Sequence, residues 1–422
     1  MTFNRTDILL PVFCKDSEKM KKWSVVACDQ YTSEPEYWEE VLKIVGEDSS
    51  TINLTIPEIY LNDSDIDLRI KRTNEYMNKY IKEGIFNEYK NTYIFVERTL
   101  KNGVKRLGII GAVDLEDYDY KVGSKTKIRA TEGTVVSRIP PRLKVRQDAL
   151  IELPHIMMLI DDEDCNIIEY NDTIKDSFQK LYDFELVMDS GYIAGYKMSD
   201  EACEILDKKL NALNSIEDFN KKYNTNEKNP LIYAMGDGNH SLATAKAYYE
   251  NLKEKIGDEA KKSKARYALC ELVNLHDKSL EFEAIHRVVF NMNADKFIEK
   301  MSKEYNLSFD EDANGQSFYL VFGNEKKKVT VLNPKEYLTV ATVQKALDEF
   351  TKDTQGEIDY IHGEDVVLKL CQDKSNFGII FDAMEKKDLY KSVILDGALP
   401  RKTFSMGEAP DKRFYIEARK IK

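Results

Sequence analysis

The residues with the clearest chemical potential lie in a short glycine-framed segment near the middle of the chain. Five apolar residues, 231–235, precede this segment, and an amphipathic run that ends near Ile256 follows it. This pattern predicts a strand, a tight turn and a helix. Gly236 and Gly238 would let the backbone approach an anion closely, and the helix start offers free N–H groups and a positive dipole end. The segment therefore predicts a phosphate-binding turn.

Polar side chains in this turn could take part in chemistry. Asp237 could hold Mg²⁺ or orient His240, and His240 could donate to a phosphoryl oxygen or carry a proton near neutral pH. Asn239 and Ser241 would complete the phosphate site. In the structural alternative, Asn239 or Ser241 is only a helix N-cap and the glycines belong to an ordinary tight turn. The turn matches neither the Walker nor the dinucleotide-binding glycine pattern, so both interpretations stay open.

The elements that must position this turn are predicted from hydrophobic periodicity. Apolar residues at helical spacing predict helices over 65–84, from Ser199 to Asn214, from Ser241 to Ile256, and over 341–351 and 363–372. Hairpins are predicted from 91–98 with 105–113 around Asn102 and Gly103, and from 317–323 with 326–332 around Asn324 and Glu325. Further strands are expected over 266–275 and near Gly378 and Phe414.

These elements alternate without strict regularity, which predicts an α/β (α+β) fold with mixed sheets and flanking helices. The polar loop 224–230 is the best candidate for a domain boundary. It would separate an N-terminal α/β lobe, residues 1–225, from a C-terminal α/β lobe, residues 226–422, that carries the glycine turn.

Composition excludes several classes of protein. The 62 basic and 74 acidic residues give a net charge of −12, which disfavours nucleic acid as a partner. The six cysteines have no paired spacing and indicate reduced thiols. No apolar run approaches the ~18 residues that span a bilayer, so we expect a cytoplasmic protein without a membrane partner. An acidic chain rich in aromatic residues is compatible with a homodimer.

A second group of candidate residues lies in the segment IRATEGTVVSRIPPR. Its members with possible roles in substrate binding are Arg129, Thr131 and Arg138. Glu132 lies between the cations and is our predicted general base, because phosphoryl transfer to a hydroxyl needs a proton acceptor among fixed positive charges. The alternative is a surface turn whose charges are solvated.

Other polar residues are weaker candidates. His286 and Arg287 adjoin a strand-like run and could face a substrate or a salt bridge, and Lys402 could bind a phosphate or a carboxylate. Asp29 follows an apolar run, where a site residue or a turn is equally plausible. The acidic cluster 161–164 is expected to be a solvated loop.

The turn GDGNHSLATA resembles the D-G-H-H-R-x-x-x-A signature of an uncharacterised family called domain of unknown function 1015. Four further segments resemble that family in the same order: VACDQYTSEPEYW, RATEGTVVSRIPPR, ELVNLHDKSLEFEAIHRVVF and LPRKTF. The resemblance covers nearly the whole chain. The signature is also similar to the phosphate-binding helix start of the ParB and sulfiredoxin superfamily, which includes nucleotide-dependent kinases of free serine.

This resemblance implies a phosphotransferase that uses ATP or ADP with Mg²⁺ and acts on a small hydroxylated metabolite. Free serine or phosphoserine is the first candidate, in either direction of the reaction. Two residues depart from the signature: Asn239 stands in place of a histidine and Ser241 in place of an arginine. Losing that arginine removes a bidentate phosphate donor. A nucleotide sensor without turnover, or a phosphoserine phosphatase, is therefore an alternative.

Overall fold

The structure is a computed structural model, and it describes residues 1–121, 123–352, 354 and 356–422. The chain forms two compact units. Unit 1 contains Met1–Ala130, Thr134–Leu280 and Gly407–Lys422, and unit 2 contains Thr131–Gly133 and Glu281–Met406. Within the described ranges, no helix has both the length and the apolar character needed to cross a membrane.

The strands are short and are numbered here in chain order. They are β1 Phe3–Asn4, β2 Thr6–Pro11, β3 Val25–Val26, β4 Phe86–Thr92, β5 Ile94–Thr99, β6 Lys105–Asp114, β7 Ile128–Arg129, β8 Ile151–Glu152, β9 Met157–Ile160, β10 Gln179–Glu185, β11 Tyr192–Lys197, β12 Tyr233–Asp237, β13 Tyr267–Asn274, β14 Phe282–Phe290, β15 Leu307–Ser308, β16 Gln316–Phe322, β17 Glu325–Val331, β18 Glu357–His362, β19 Phe377–Ile380, β20 Phe404–Met406, β21 Phe414–Tyr415 and β22 Arg419–Lys420.

The α-helices are numbered in the same way. They are α1 Ser17–Trp23, α2 Pro35–Val45, α3 Ile66–Lys82, α4 Ile139–Gln147, α5 Tyr170–Ile174, α6 Asp200–Ala212, α7 Ile216–Tyr223, α8 Asn239–Ile256, α9 Ala294–Met301, α10 Thr339–Thr351, α11 Glu364–Leu370 and α12 Lys386–Leu395. The structure is therefore the mixed α/β fold that the sequence predicts.

Unit 1 is built on a mixed sheet in which, among the described residues, nine strands take part. Eight of them follow the order β10, β11, β5, β6, β13, β9, β12, β7, and β1 pairs with β6. The pairs β9–β13 and β7–β12 are parallel and the others are antiparallel. The strand that carries the glycine turn, β12, therefore lies near one edge, between β9 and β7.

Both faces of this sheet are covered. Successive residues of β5 point to opposite sides: Ile94 and Val96 join one apolar cluster and Phe95 joins the other. The first cluster includes Trp23, Trp38 and Met77 from α1, α2 and α3, and the second includes residues of α6 and α8. Helix α8 is thus fixed to the sheet by its own apolar face, which includes Leu242, Ala245 and Tyr249.

Unit 2 is built on an antiparallel sheet. Its order among the described residues is β15, β17, β16, β19, β14, β18, with β20 pairing with β14. Phe297 of α9 stacks on Phe377 of β19 at 5.4 Å and contacts Phe350 of α10 edge-on at 5.5 Å. These aromatic contacts attach the two helices to the sheet.

Most predicted elements are confirmed. Helices α3, α6, α10 and α11 and both predicted hairpins are present. Helix α8 begins at Asn239, two residues before the predicted start. The turn between β16 and β17 consists of Gly323 and Asn324, one residue earlier than predicted, because Phe322 pairs with Glu325.

The division into compact units does not coincide with the boundary predicted after residue 225. Residues on both sides of that loop lie in unit 1. The physical reason is sheet pairing: β12 and β13, which follow the loop, both pair with β9, which precedes it.

The C-terminal segment Gly407–Lys422 belongs to unit 1 through buried ion pairs. Arg413 donates to carboxylate oxygens of Glu271 and Glu417, each at 2.5 Å, and all three side chains are at most 4% exposed. Arg419 donates to Glu152 at 2.8 Å. Strands β21 and β22 pair with β3 and β8. The segment is thus held by paired charges and short ladders, together with its buried apolar residues Phe414, Ile416 and Ile421.

Replacing Arg413 by Met should lower the free energy of unfolding of unit 1 by about 3–5 kcal/mol, because the carboxylates of Glu271 and Glu417 would remain buried without their cation. Urea unfolding followed by tryptophan fluorescence measures this directly, since both tryptophans, Trp23 and Trp38, belong to unit 1. The exposed Arg72→Met variant serves as control and should change the value by less than about 0.5 kcal/mol. Equal effects of both substitutions would contradict the structural role of Arg413.

Candidate active site

The glycine turn has the predicted strand, turn and helix arrangement. Strand β12 ends at Asp237, and Gly238 follows with φ +80° as the N-cap of α8. The pairing of β12 with β9 shifts register between Met235 and Asp237, so Gly236 lies at a bulge. The Gly238 N–H donates to Oδ1 of Asp237 at 2.8 Å. A Cβ at Gly238 would lie 2.9 Å from Cα of Ile156, so only glycine fits there.

His240 lies in the first turn of α8 as a hydrogen-bond acceptor. Its Nε2 accepts the N–H of Val135 at 3.4 Å. Burial, together with the nearby cations Arg142 and Arg138, lowers the pKa of His240 to about 4. The imidazole is therefore neutral at pH 7. Burial and two cations oppose protonation, so a neutral imidazole would have to perform the predicted role, and the part of His240 in catalysis stays a prediction.

Asp237 has a cationic partner that the sequence did not reveal. Lys412, from the C-terminal segment, lies with Nζ 3.3 Å from Oδ2 of Asp237. Both side chains are about one-fifth exposed, so solvent and ligands can reach the pair. The turn thus combines a helix start, one carboxylate and one ammonium group.

A buried histidine lies next to the turn. Nε2 of His155 is 3.4 Å from Oδ2 of Asp29, and Nδ1 is 2.9 Å from the hydroxyl of Tyr415. Burial opposes protonation of His155, but the Asp29 carboxylate outweighs it and raises the pKa of His155, with a smaller contribution from Asp237. Burial likewise opposes ionisation of Asp29, and His155 and Gln30 outweigh it and lower the pKa of Asp29. The protonated form of His155 is thus favoured, because one ring nitrogen faces the Asp29 carboxylate and the other faces the Tyr415 hydroxyl oxygen.

Tyr415 extends this pair to a thiol. Its hydroxyl donates to Sγ of Cys28 at 3.0 Å and accepts the N–H of Cys28 at 3.2 Å. Burial and the Asp29 carboxylate raise the pKa of Cys28 to about 12. The thiol is protonated at neutral pH and is a hydrogen-bonding group rather than a nucleophile.

A cavity of about 150 Å³ adjoins these residues. Ser241 and Thr244 from the start of α8 line it, together with His155, Tyr415 and Cys28. Arg142 of α4 also lines the cavity and forms a close ion pair with Glu58. The start of α8, the cavity and the connected residues His155, Asp29, Tyr415 and Cys28 therefore form one site within unit 1.

Two predicted arginines of unit 1 have different surroundings. Arg129 is buried, and its guanidinium donates to the carbonyls of Thr126 at 3.0 Å and Asn229 at 2.9 Å. Arg129 is therefore not in the solvated surface turn considered as the alternative, because it is buried and donates to these two carbonyls. Arg138 ends a short 3-10 turn, Val136–Arg138, ahead of α4, and acts on His240 through its charge.

The remaining predicted residues belong to unit 2. Thr131 is buried and its carbonyl accepts the N–H of Leu399 at 2.7 Å, while Glu132 forms a parallel bridge with Leu399. Lys402 lies in an exposed turn with φ +58°. Their roles in catalysis or substrate binding remain predictions.

His286 and Arg287 lie in β14 and contact other parts of unit 2. Arg287 is completely buried and donates to Gln344 at 2.7 Å and to the carbonyl of Ile285 at 2.6 Å. Burial lowers its pKa to about 10. Nδ1 of His286 accepts the N–H of Phe381 at 3.3 Å. These contacts hold β14 to its neighbours, and binding of a substrate by either residue stays a prediction.

The acidic cluster 161–164 is not simply a solvated loop. The Asp161 side chain is 4% exposed and accepts from Tyr223 at 2.5 Å, with His276 at 2.6 Å and Lys222 at 3.0 Å. The expectation was wrong for Asp161 because partners distant in sequence supply these contacts.

Two of the site residues identified by the structure were missed in the sequence. His155 follows a proline within an otherwise apolar run, and a lone polar residue in such a run was the available signal. Lys412 carries no such signal, since it lies among other charged residues near the C-terminus.

Comparison with known proteins supports the resemblance stated for the turn. The model of a family described as protein of unknown function (DUF1015) matches residues 10–350. The chain belongs to this family. No curated protein matches this DUF1015 chain.

Three solved structures show distant likeness to the DUF1015 chain. Free serine kinase in complex with AMP has 12% identity and a TM-score of 0.39, covering 74% of this chain and 90% of its own. A conserved hypothetical protein from Pyrococcus furiosus has 13% identity and a TM-score of 0.36, covering 74% and 94%. SbnI from Staphylococcus aureus, truncated at its C-terminus, has 9% identity and a TM-score of 0.35, covering 73% and 82%.

Gly238→Ala should destabilise unit 1 more than Gly84→Ala at the C-terminal end of α3. Both positions have positive φ, and in the left-handed region this costs an alanine about 1–2 kcal/mol. At Gly238 the added Cβ also meets the backbone of Ile156, whereas at Gly84 it meets nothing within 4 Å. The expected excess is about 1–3 kcal/mol in the free energy of unfolding, measured by urea titration. Equal losses would show that the turn is less closely packed than described.

The Asp29–His155 pair should make stability depend on pH. Because the folded-state pKa of His155 is raised, its stabilisation is complete below the unfolded-state value of about 6.5 and is lost as pH rises through the folded-state pKa. The free energy of unfolding of wild type minus that of Asp29→Asn should therefore decrease as the pH rises above about 6.5. Parallel curves for the two proteins would contradict the pairing.

Proposed function

We propose that this DUF1015 protein is a nucleotide-dependent phosphotransferase that acts on a small hydroxylated metabolite. The observation that carries the proposal is the start of α8. An 18-residue helix follows a glycine N-cap with positive φ, beside an accessible ammonium group and a cavity. The positive end of a helix dipole and a cation in one place favour the binding of phosphate.

In this proposal the turn from Gly236 to Ser241 binds the nucleotide phosphates. The turn lacks the arginine of the family signature, because Ser241 stands in its place. Lys412, 3.3 Å from Asp237, is a replacement cation supplied from elsewhere in the chain. Arg138 and Arg142 add positive potential, since both lower the pKa of His240 in the first turn. The positive charge that phosphate needs is therefore available without the arginine.

Mg²⁺ fits the turn in one respect. This ion commonly binds through one or two carboxylates together with substrate phosphates, and Asp237 is a part-exposed carboxylate at the helix start. Asp237 would hold the ion, which when bound would neutralise charge on the phosphates. Lys412 would then be released from Asp237 to contact a phosphate oxygen.

The transfer itself forms a bond from the acceptor hydroxyl oxygen to the terminal phosphorus and breaks the bond from that phosphorus to the bridging oxygen of the nucleotide. The hydroxyl proton passes to a base, which we assign to Glu132 as the sequence predicts. Asp29 is a second candidate, because its carboxylate is ionised at neutral pH beside His155. A weak base is sufficient, since phosphoryl transfer depends mainly on positioning and charge.

The nucleotide is ATP or ADP, and free serine or phosphoserine is the first acceptor or donor to test, because the sequence resemblance implies them. A nucleotide sensor without turnover is the second candidate, favoured by Ser241 in place of the signature arginine. The two differ in one result: a sensor binds nucleotide and transfers nothing.

Phosphorus NMR of the protein with Mg²⁺, ATP or ADP, and serine or phosphoserine should show phosphoryl transfer. Asp237→Ala should reduce the rate roughly 100-fold or more, because the carboxylate that orders the turn and holds the ion is lost. Asp176→Ala, at an exposed position of unit 1, is the matched control and should leave the rate unchanged.

Glu132→Gln in the same assay should reduce turnover by about 10²–10⁴-fold and retain nucleotide binding. The exposed Glu311→Gln is its control in unit 2. Transfer that survives in Glu132→Gln but is lost in Asp29→Asn would move the base to Asp29. Nucleotide binding with no transfer to any acceptor would overturn the phosphotransferase and favour the sensor.

A further inference from the structure

The cavity beside α8 has a mainly apolar lining. Ser241 and Thr244 line it from the first turns of the helix, and much of the remaining wall is aliphatic, including Leu54, Leu61, Met77 and Val145. A volume of about 150 Å³ is comparable with that of an engineered apolar cavity that binds benzene. The cavity therefore accommodates the body of a ligand of about six non-hydrogen atoms.

The charged residues of the lining already have partners. Among the described lining residues, Glu58 pairs with Arg142, Glu152 pairs with Arg146 at 2.5 Å, and His155 pairs with Asp29 at 3.4 Å. Glu152 is also paired with Arg419. A ligand with both an ammonium and a carboxylate group would have to break such pairs or bury its charges without partners, and both are unfavourable.

A neutral hydroxyl has suitable partners here. Oγ1 of Thr244 donates to the carbonyl of His240 at 2.7 Å, so its oxygen can still accept a hydrogen bond from another hydroxyl. Thr244 and Ser241 belong to the same helix start that would bind the phosphates in the proposed function. An alcohol held by these hydroxyls would thus lie next to the transferred group.

We propose that the acceptor is a small neutral alcohol with an aliphatic or aromatic body, which occupies this cavity and presents its hydroxyl near Ser241 and Thr244. The inference rests on the proposed function and names its substrate class. It favours such an alcohol over free serine, because the alcohol buries apolar surface against the aliphatic wall and brings no charge.

The test uses the full chain without nucleotide and measures binding by saturation-transfer NMR. The probes are benzyl alcohol, 1-pentanol, glycerol, L-serine and adenosine. Benzyl alcohol and 1-pentanol should bind saturably, with dissociation constants at least roughly tenfold lower than those of glycerol and serine. Tighter binding of serine or adenosine than of both alcohols would overturn the inference.

Leu61→Trp should weaken alcohol binding by roughly tenfold or more, because a larger side chain on the cavity wall fills the space. Leu61 is only partly buried, so the substitution is compatible with folding, which thermal unfolding checks. Leu68→Trp, at a 66% exposed position of α3, is the control and should bind alcohols as wild type does. Equal binding by both variants would place the alcohols elsewhere.

Failure of this inference and failure of the proposed function give different experimental results. Transfer from ATP to serine, with no alcohol binding, would contradict only this inference. Alcohol binding with no phosphoryl transfer to any acceptor would contradict the proposed function, and with it the acceptor role, while the ligand class of the cavity would stand.

Discussion

Unit 1 depends on a buried arginine near the end of the chain. Arg413 bridges the carboxylates of Glu271 in β13 and Glu417 in its own segment, and Tyr182 of β10 donates to Glu417 as well. Three nearly inaccessible charges are tolerable only because each meets its opposite. This network and the buried apolar residues of the same segment fix the path of residues 407–422, and that path brings Lys412 to Asp237 and Tyr415 to His155. The candidate site is therefore assembled by an electrostatic constraint remote from the glycine turn.

The turn and the C-terminal segment contribute different properties to the site. The turn supplies shape and potential: Gly238 permits close approach, and α8 presents the positive end of its dipole. The C-terminal segment supplies an ammonium group and a tyrosine hydroxyl. His155 joins the two parts, because its pKa responds to both Asp29 and Asp237. In the proposed function, this local arrangement provides for an anion even though the whole chain carries a net charge of −12.

The local features of the fold could be predicted, since they depend on short-range periodicity and turn residues. Helix α3, the β5–β6 hairpin and the strand, turn and helix around Gly238 are examples. Contacts between distant segments could not be predicted. The partners of Lys412 and Asp161 come from segments distant in sequence, so the sequence gives no sign of these ion pairs. The loop 224–230 has the composition of a domain boundary, but β12 after the loop pairs with β9 before it. Burial likewise gives His240 a pKa of about 4 that its neighbours in sequence do not indicate.

The claim at the centre of this account is that the start of α8 and Lys412 together bind nucleotide phosphates. Titration calorimetry with ADP and Mg²⁺ tests it directly on wild type, Lys412→Met and the exposed Arg72→Met control. The account predicts that wild type and Arg72→Met bind ADP alike, and that Lys412→Met binds it roughly tenfold or more weakly, the equivalent of one charge-assisted hydrogen bond. Absence of ADP binding to wild type, or equal affinity of Lys412→Met, would contradict it.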